Sequence, residues 1–127
     1  MTGGGERTAM PTDRYSGACH CRAVSFEVEL DLTDTVVCNC SLCRMRGFRW
    51  SFVPADRFRL LAGEAMLRSY RFHRHEIDHR FCARCGVEPF AFSAPEGRRT
   101  AMIDVRCLDG VDADRLPPPA SYDGRSR

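Results

Sequence analysis

Seven of the eight cysteines fall into three tight groups, and that placement limits the fold more than any other feature. The groups are Cys19-His20-Cys21, Cys38-Asn39-Cys40-Ser41-Leu42-Cys43 and Cys82-Ala83-Arg84-Cys85-Gly86, while Cys107 stands alone. No apolar stretch at the start reads as a secretion signal and no run is long enough to span a membrane, so a cytoplasmic, reducing location is expected. There, clustered thiols point to metal before disulfides. Cys82 and Cys85 form a knuckle that bites one ion, and Gly86 can take the positive φ of the tight turn. Two ligands leave that ion half-coordinated. Cys19 and Cys21, placed after Gly17 and just before the first strong strand pattern, are the natural second pair. Together they make a closed, structural Cys₄ zinc site.

The middle group behaves differently. An extended strand would throw Cys38 and Cys40 to one side and Cys43 to the other. A turn running into a short helix brings all three together. Three thiolates with no fourth nearby leave zinc an open position, and an open position is where chemistry occurs. Cys107 leaves two readings. It closes the second site, and both zincs are structural; or it is core, and the second site stays open. Cys107 shares a strand face with Ile103 and Val105, which favours core.

The surrounding pattern is mainly β with little helix. Val24 to Leu30 alternate apolar and polar residues, and Phe48, Trp50 and Phe52 alternate with Arg49 and Ser51. Arg57–Leu61 and Met66–Phe72 flank a glycine turn and read as a hairpin. Ile77–Phe81 leads into the Cys82 knuckle, Val87–Phe92 leads out, and Ala101 to Cys107 form a last strand. Helix is confined to a turn after Cys40 and another near Pro54-Ala55-Asp56. Residues 1–13 read as a disordered arm, 14–116 as a single zinc-binding β domain, and 117–127, after three prolines, as an exposed tail.

Net charge excludes little. The formal value is +2, and the chain has 19 arginines and no lysine. Seven thiolates remove seven charges and two Zn²⁺ return four, which leaves −1, so the composition makes no case for a nucleic-acid surface. Arg44-Met45-Arg46-Gly47-Phe48-Arg49-Trp50 mixes basic and aromatic residues as a non-catalytic nucleic-acid or protein-binding module would. Those aromatics fit a buried strand face better. His75-Glu76-Ile77-Asp78-His79 matches H-E-x-x-H, but the segment lies between strand patterns instead of on a helix, and reads as a polar turn. His73 reads as surface and His20 as a bystander. Glu88 and Asp104 interrupt apolar strands and read as outward positions, with ligand orientation or acid–base work as the alternative.

Gly17-x-Cys19-x-Cys21, Val24-x-Phe26, Cys38-x-Cys40-Ser41-x-Cys43-Arg44, Phe81-Cys82-x-x-Cys85-Gly86 and Val105-Arg106-Cys107-Leu108-Asp109 occur in that order. In this the chain resembles the glutathione-dependent formaldehyde-activating enzyme family, which includes centromere protein V. Asp123-Gly124-Arg125 also resembles the end of some members. The resemblance implies an Mss4-like zinc fold, an irregular β-sandwich or β-tent. It implies a structural zinc on Cys19, Cys21, Cys82 and Cys85 and a catalytic-type zinc on Cys38, Cys40 and Cys43. It also implies a carbon–sulfur lyase-type activity on a small thiol or thiol adduct, with glutathione as co-substrate. Glutathione's carboxylates suit arginine forks, and Arg44, Arg46 and Arg49 lie nearest in sequence. Asn39 stands where the family often has His, Arg22 where it often has Gly, and no His follows His79.

Overall fold

A computed structural model of the chain describes residues 12–72, 76–93 and 99–126. The alternation after Val24 becomes a strand, β2 (Ser25–Asp31), with Phe26, Val28 and Leu30 buried on one face. β1 (Thr12–Ala18) pairs antiparallel along one side of it and β5 (Phe58–Ala62) along the other. These three make the first sheet.

The second sheet has seven strands. From edge to edge they are β10 (Ala120–Tyr122), β3 (Val36–Cys38), β4 (Trp50–Pro54), β9 (Thr100–Asp104), β8 (Phe90–Ser93), β7 (Ile77–Cys82) and β6 (Leu67–Tyr70). Only β10 beside β3 runs parallel. Phe26, Val28 and Leu30 from the small sheet share one core with Val53, Phe90, Ala101 and Ile103 from the large one. Phe26 meets Phe90 edge-on with ring centroids 5.6 Å apart. Each such burial removes enough apolar surface from water to stabilise by ~1.5–3 kcal/mol.

The other face of the large sheet carries a separate patch of Trp50, Ala91 and Met102, packed with Phe48 and Cys43. α1 (Ser41–Arg46) supplies Cys43. Cys40 caps its N-terminus by accepting the Cys43 N–H, and Gly47 ends it at φ +71, where only glycine fits easily. This second patch positions the middle cysteines.

Several expectations change. Arg57–Leu61 and Met66–Phe72 do not form a hairpin: β5 joins β2 in the small sheet, while β6 joins β7 in the large one. Gly63 makes the crossing at φ +97, and a side chain there would strike the Val24 Cα at 2.6 Å. Phe52 shares the Trp50 face but lies beyond the patch around α1, and is 47 % exposed. The last strand stops at Asp104, and Val105–Cys107 form a 3₁₀ turn, so Cys107 leaves the face of Ile103. β1 starts at Thr12, inside the segment read as an arm. Residues 120–122 of the tail are exposed yet paired with β3.

Candidate metal centres and the adjoining cleft

Cys19 and Cys21 sit in the turn between β1 and β2, and Cys82 and Cys85 in the knuckle after β7. Their four sulfurs lie within 4.8 Å of one another. Cys19 Sγ is 3.7 Å from Cys21 Sγ, which is 3.8 Å from Cys82 Sγ. A tetrahedral ion with sulfur bonds of ~2.3 Å has edges of ~3.8 Å, so the donor set fits a metal held by four thiolates. The backbone N–H groups of Val24 and Arg84 donate to Cys19 and Cys82 at 3.4 and 3.3 Å. Burial pushes the Cys85 thiol up, but the backbone N–H groups of Val87 and Cys21 outweigh it and bring it down to about 6. Burial raises Cys19 to about 11 against the Val24 bond. His20 is exposed, and it is no member of the metal-capable group.

Cys38, Cys40 and Cys43 form the second group, again with sulfurs within 4.8 Å of one another. The cap of α1 causes the convergence, because it turns the chain between Cys38 and Cys43. Each sulfur accepts a hydrogen bond. Cys38 takes the Cys40 N–H at 3.4 Å, Cys40 the Cys43 N–H at 3.4 Å, and Cys43 the Trp50 indole N–H at 3.5 Å. Burial raises Cys38 and Cys43, while the backbone N–H of Cys43 helps bring Cys40 below its ordinary value despite burial. Cys107 belongs to neither group. Burial, followed by the Asp104 charge, pushes its thiol up to about 12, as befits an inert thiol.

A cleft of about 380 Å³ opens beside the trio, lined by Val37, Cys38, Asn39, Arg44, Ser121, Tyr122 and Asp123. The chain's end folds back to make one wall of it. Asn39 clasps that end: its N–H donates to the Tyr122 carbonyl at 3.2 Å, its side-chain amide donates to Asp123 at 2.9 Å, and its side-chain carbonyl accepts the Arg125 N–H at 2.8 Å. A side chain on Gly124 would overlap the Cys38 sulfur and crowd the Cys40 Cβ at 3.1 Å. The tail therefore lies directly against the trio. Sequence reading noted the Asp-Gly pair but not this contact, since no local pattern reports a parallel pairing across the whole chain.

The three arginines part ways. Arg44 is exposed and lines the cleft. Arg46 reaches Glu88 at 3.5 Å. Arg49 is buried: its Nε donates to Thr35 at 2.9 Å, one terminal nitrogen to the Ala113 carbonyl at 2.8 Å and the other to the Pro117 carbonyl. Its guanidinium fastens the closing segment to β4 and is not presented to a ligand. Phe48 and Trp50 are buried too, so neither ring is offered to a nucleobase.

His79, Glu88 and Asp104 overturn their expected exposure. His79 lies in β7 on the face of the second patch, with His79 Nδ1 2.6 Å from Glu88 Oε2 and both side chains at most 2 % exposed. Its ring stacks with those of Phe48 and Phe72, at centroid distances of 6.2 and 5.8 Å. His79 is thus in a strand, not a turn, while His73 and His75 lie outside the described residues. Burial holds Glu88 above its ordinary value against the pull of the His79 bond.

Burial also raises Asp104 to about 6, although it accepts the backbone N–H groups of Arg106 and Arg49. The sign follows from linkage. Well below pH 4 Asp104 is protonated in both folded and unfolded chains; between about pH 4 and 6 the unfolded chain ionises while the buried carboxyl resists, so stability falls across that window and levels off above it. Wild type is therefore expected to lose ~3 kcal/mol relative to Asp104→Asn between about pH 4 and 7. Urea melts of the pair across that range measure it, and parallel profiles would show that Asp104 is ordinary.

Two packed β-sheets carrying a four-thiol group and a three-thiol group define a mainly β domain built around clusters that could hold metal. Residues 14–122 match the family described as glutathione-dependent formaldehyde-activating enzyme, and the chain belongs to that family. It is also similar to a crystal structure of a Rhodobacter sphaeroides protein, with 30% identity and a TM-score of 0.77, over 84% of this chain and 99% of that one.

Proposed function

We propose that the protein is a zinc-dependent enzyme of the carbon–sulfur lyase type, acting on glutathione or a related small-thiol adduct at the trio. One observation carries this reading. Three converging sulfurs have no fourth protein donor among the described residues, and the first of them, Cys38, lines a cleft of small-molecule size. Zinc on the quartet is structural in this reading, and zinc on the trio is catalytic. When bound there, zinc supplies a Lewis acid that lowers the pKa of an arriving thiol toward neutrality.

The chain's own residues do the rest. The Trp50 indole and the backbone N–H groups of Cys40 and Cys43 hold the three sulfurs in place. Arg44 brings a positive charge to the cleft for a substrate carboxylate, and Arg46, paired with Glu88, ties α1 to the segment between β7 and β8. In the forward direction the thiol sulfur adds to the formaldehyde carbon. The carbonyl π pair moves to oxygen, which takes the thiol's proton, and S-hydroxymethylglutathione results. The reverse breaks the same carbon–sulfur bond. Reduced, clustered thiols suit a cytoplasmic setting. Among the described residues no helix is long and apolar enough to cross a membrane.

Exchange NMR on ¹³C-formaldehyde and glutathione, with and without the zinc-loaded protein, tests the reading. The protein is expected to raise the rate of adduct formation in proportion to its concentration. A rate equal to the uncatalysed one would rule out this substrate pair.

A further inference from the structure

We propose that the cleft between Arg44 and the C-terminal tail seats the zwitterionic amino-acid end of the thiol, with Arg44 taking its carboxylate and Asp123 its ammonium group. This rests on the reading of the trio as a thiol-binding centre. The two charges border one cleft beside Cys38, and among the described residues they form no ion pair with each other. Among the described residues the Arg44 guanidinium makes no ion pair or side-chain hydrogen bond, so it is an uncompensated cation facing a small-molecule-sized space.

Asp123 is held for the purpose. One carboxylate oxygen accepts the Asn39 amide at 2.9 Å and the other accepts the Ser126 hydroxyl at 2.7 Å. The Ser126 backbone N–H also donates to this carboxylate, so three of its four lone pairs are engaged and one remains for an ammonium group. Asn39 sits between the ligands Cys38 and Cys40, so the same residue that spaces two sulfurs also sets the position of Asp123. Gly124 lets the backbone pass against Cys38 with no side chain intervening. The result is a wall of stated polarity at a fixed place beside the trio. A neutral thiol finds sulfur chemistry there and nothing for these two charges to hold. A free γ-glutamyl end carries both the groups they fit.

The test uses full-length protein loaded with Co²⁺, followed by the sulfur-to-cobalt charge-transfer absorption during titration with glutathione, its α-N-acetyl derivative and 2-mercaptoethanol. Wild type is expected to bind glutathione about tenfold tighter than the N-acetyl derivative, the worth of one hydrogen bond to a charged group. Asp123→Asn is expected to level the two. Arg44→Ala is expected to weaken both by about tenfold and leave 2-mercaptoethanol unchanged. Both positions are exposed, so neither change threatens folding. An intact preference in Asp123→Asn, or equal loss of all three thiols in Arg44→Ala, would overturn the seat while leaving the thiol-binding trio standing. A wild-type spectrum that no thiol alters would overturn the trio reading, and the seat with it.

Discussion

Cys82→Ser is expected to leave the chain unfolded, with the loss of both bound zinc equivalents and of near-ultraviolet circular dichroism. Cys82 is fully buried and belongs to the quartet that joins the β1–β2 turn to the knuckle after β7. A structural zinc contributes roughly 10–16 kcal/mol in peptide systems, whereas a domain's whole net stability is ~5–15 kcal/mol. Losing one of four ligands removes much of that term and puts a serine hydroxyl among the remaining sulfurs. Without the clamp, the turn carrying Cys19 and Cys21 has only β pairing to hold it near β7. Retention of a native spectrum with one zinc lost would show that the quartet is not what holds the fold.

Cys40→Ser is expected to do the opposite: keep the fold, lose one zinc of two, and bring adduct formation down to the uncatalysed rate. Cys40 is only half-buried, and its patch lies on the outer face of the large sheet, away from the main core. Serine still caps helices well, so α1 keeps its start. Two thiolates hold zinc far less firmly than three, and the activity loss should exceed the ~10–100-fold typical of substituting an outer partner of a metal ligand. Metal analysis and circular dichroism beside Cys82→Ser separate the two duties. Equal unfolding in both variants would make both sites structural.

The grouping of the thiols was legible because their spacing is local chemistry. C-x-x-C and C-x-C fix which sulfurs can share an ion before any tertiary structure is known, and the structure brings those groups together. The strand after Val24 was legible for a similar reason, since strict alternation has few other outcomes. What alternation does not state is the partner. Gly63 looks the same in sequence whether it turns a hairpin or carries the chain from one sheet to the other, and the choice is made by its approach to Val24. Burial of charge was illegible for the same reason. Arg49 is buried because Thr35, Ala113 and Pro117 converge on it from distant parts of the chain. His79 and Glu88 are buried because antiparallel pairing of β7 and β8 brings them together. Such long-range satisfaction leaves no periodic trace.

The span of the quartet has a kinetic side. The sulfurs of Cys21 and Cys82 meet at 3.8 Å although 61 positions separate them. Closing a loop of that size costs an entropy that grows with the logarithm of its length, about 3.6 kcal/mol for the length-dependent part. Neighbouring pairs such as β1 with β2 and β7 with β8 bring no such delay, so each C-x-C or C-x-x-C half-site can form early and alone. With the quartet read as a zinc site, joining the halves waits on an ion, and newly made chains in a metal-starved cell would stall as two unlinked hairpins, open to proteases until supply returned.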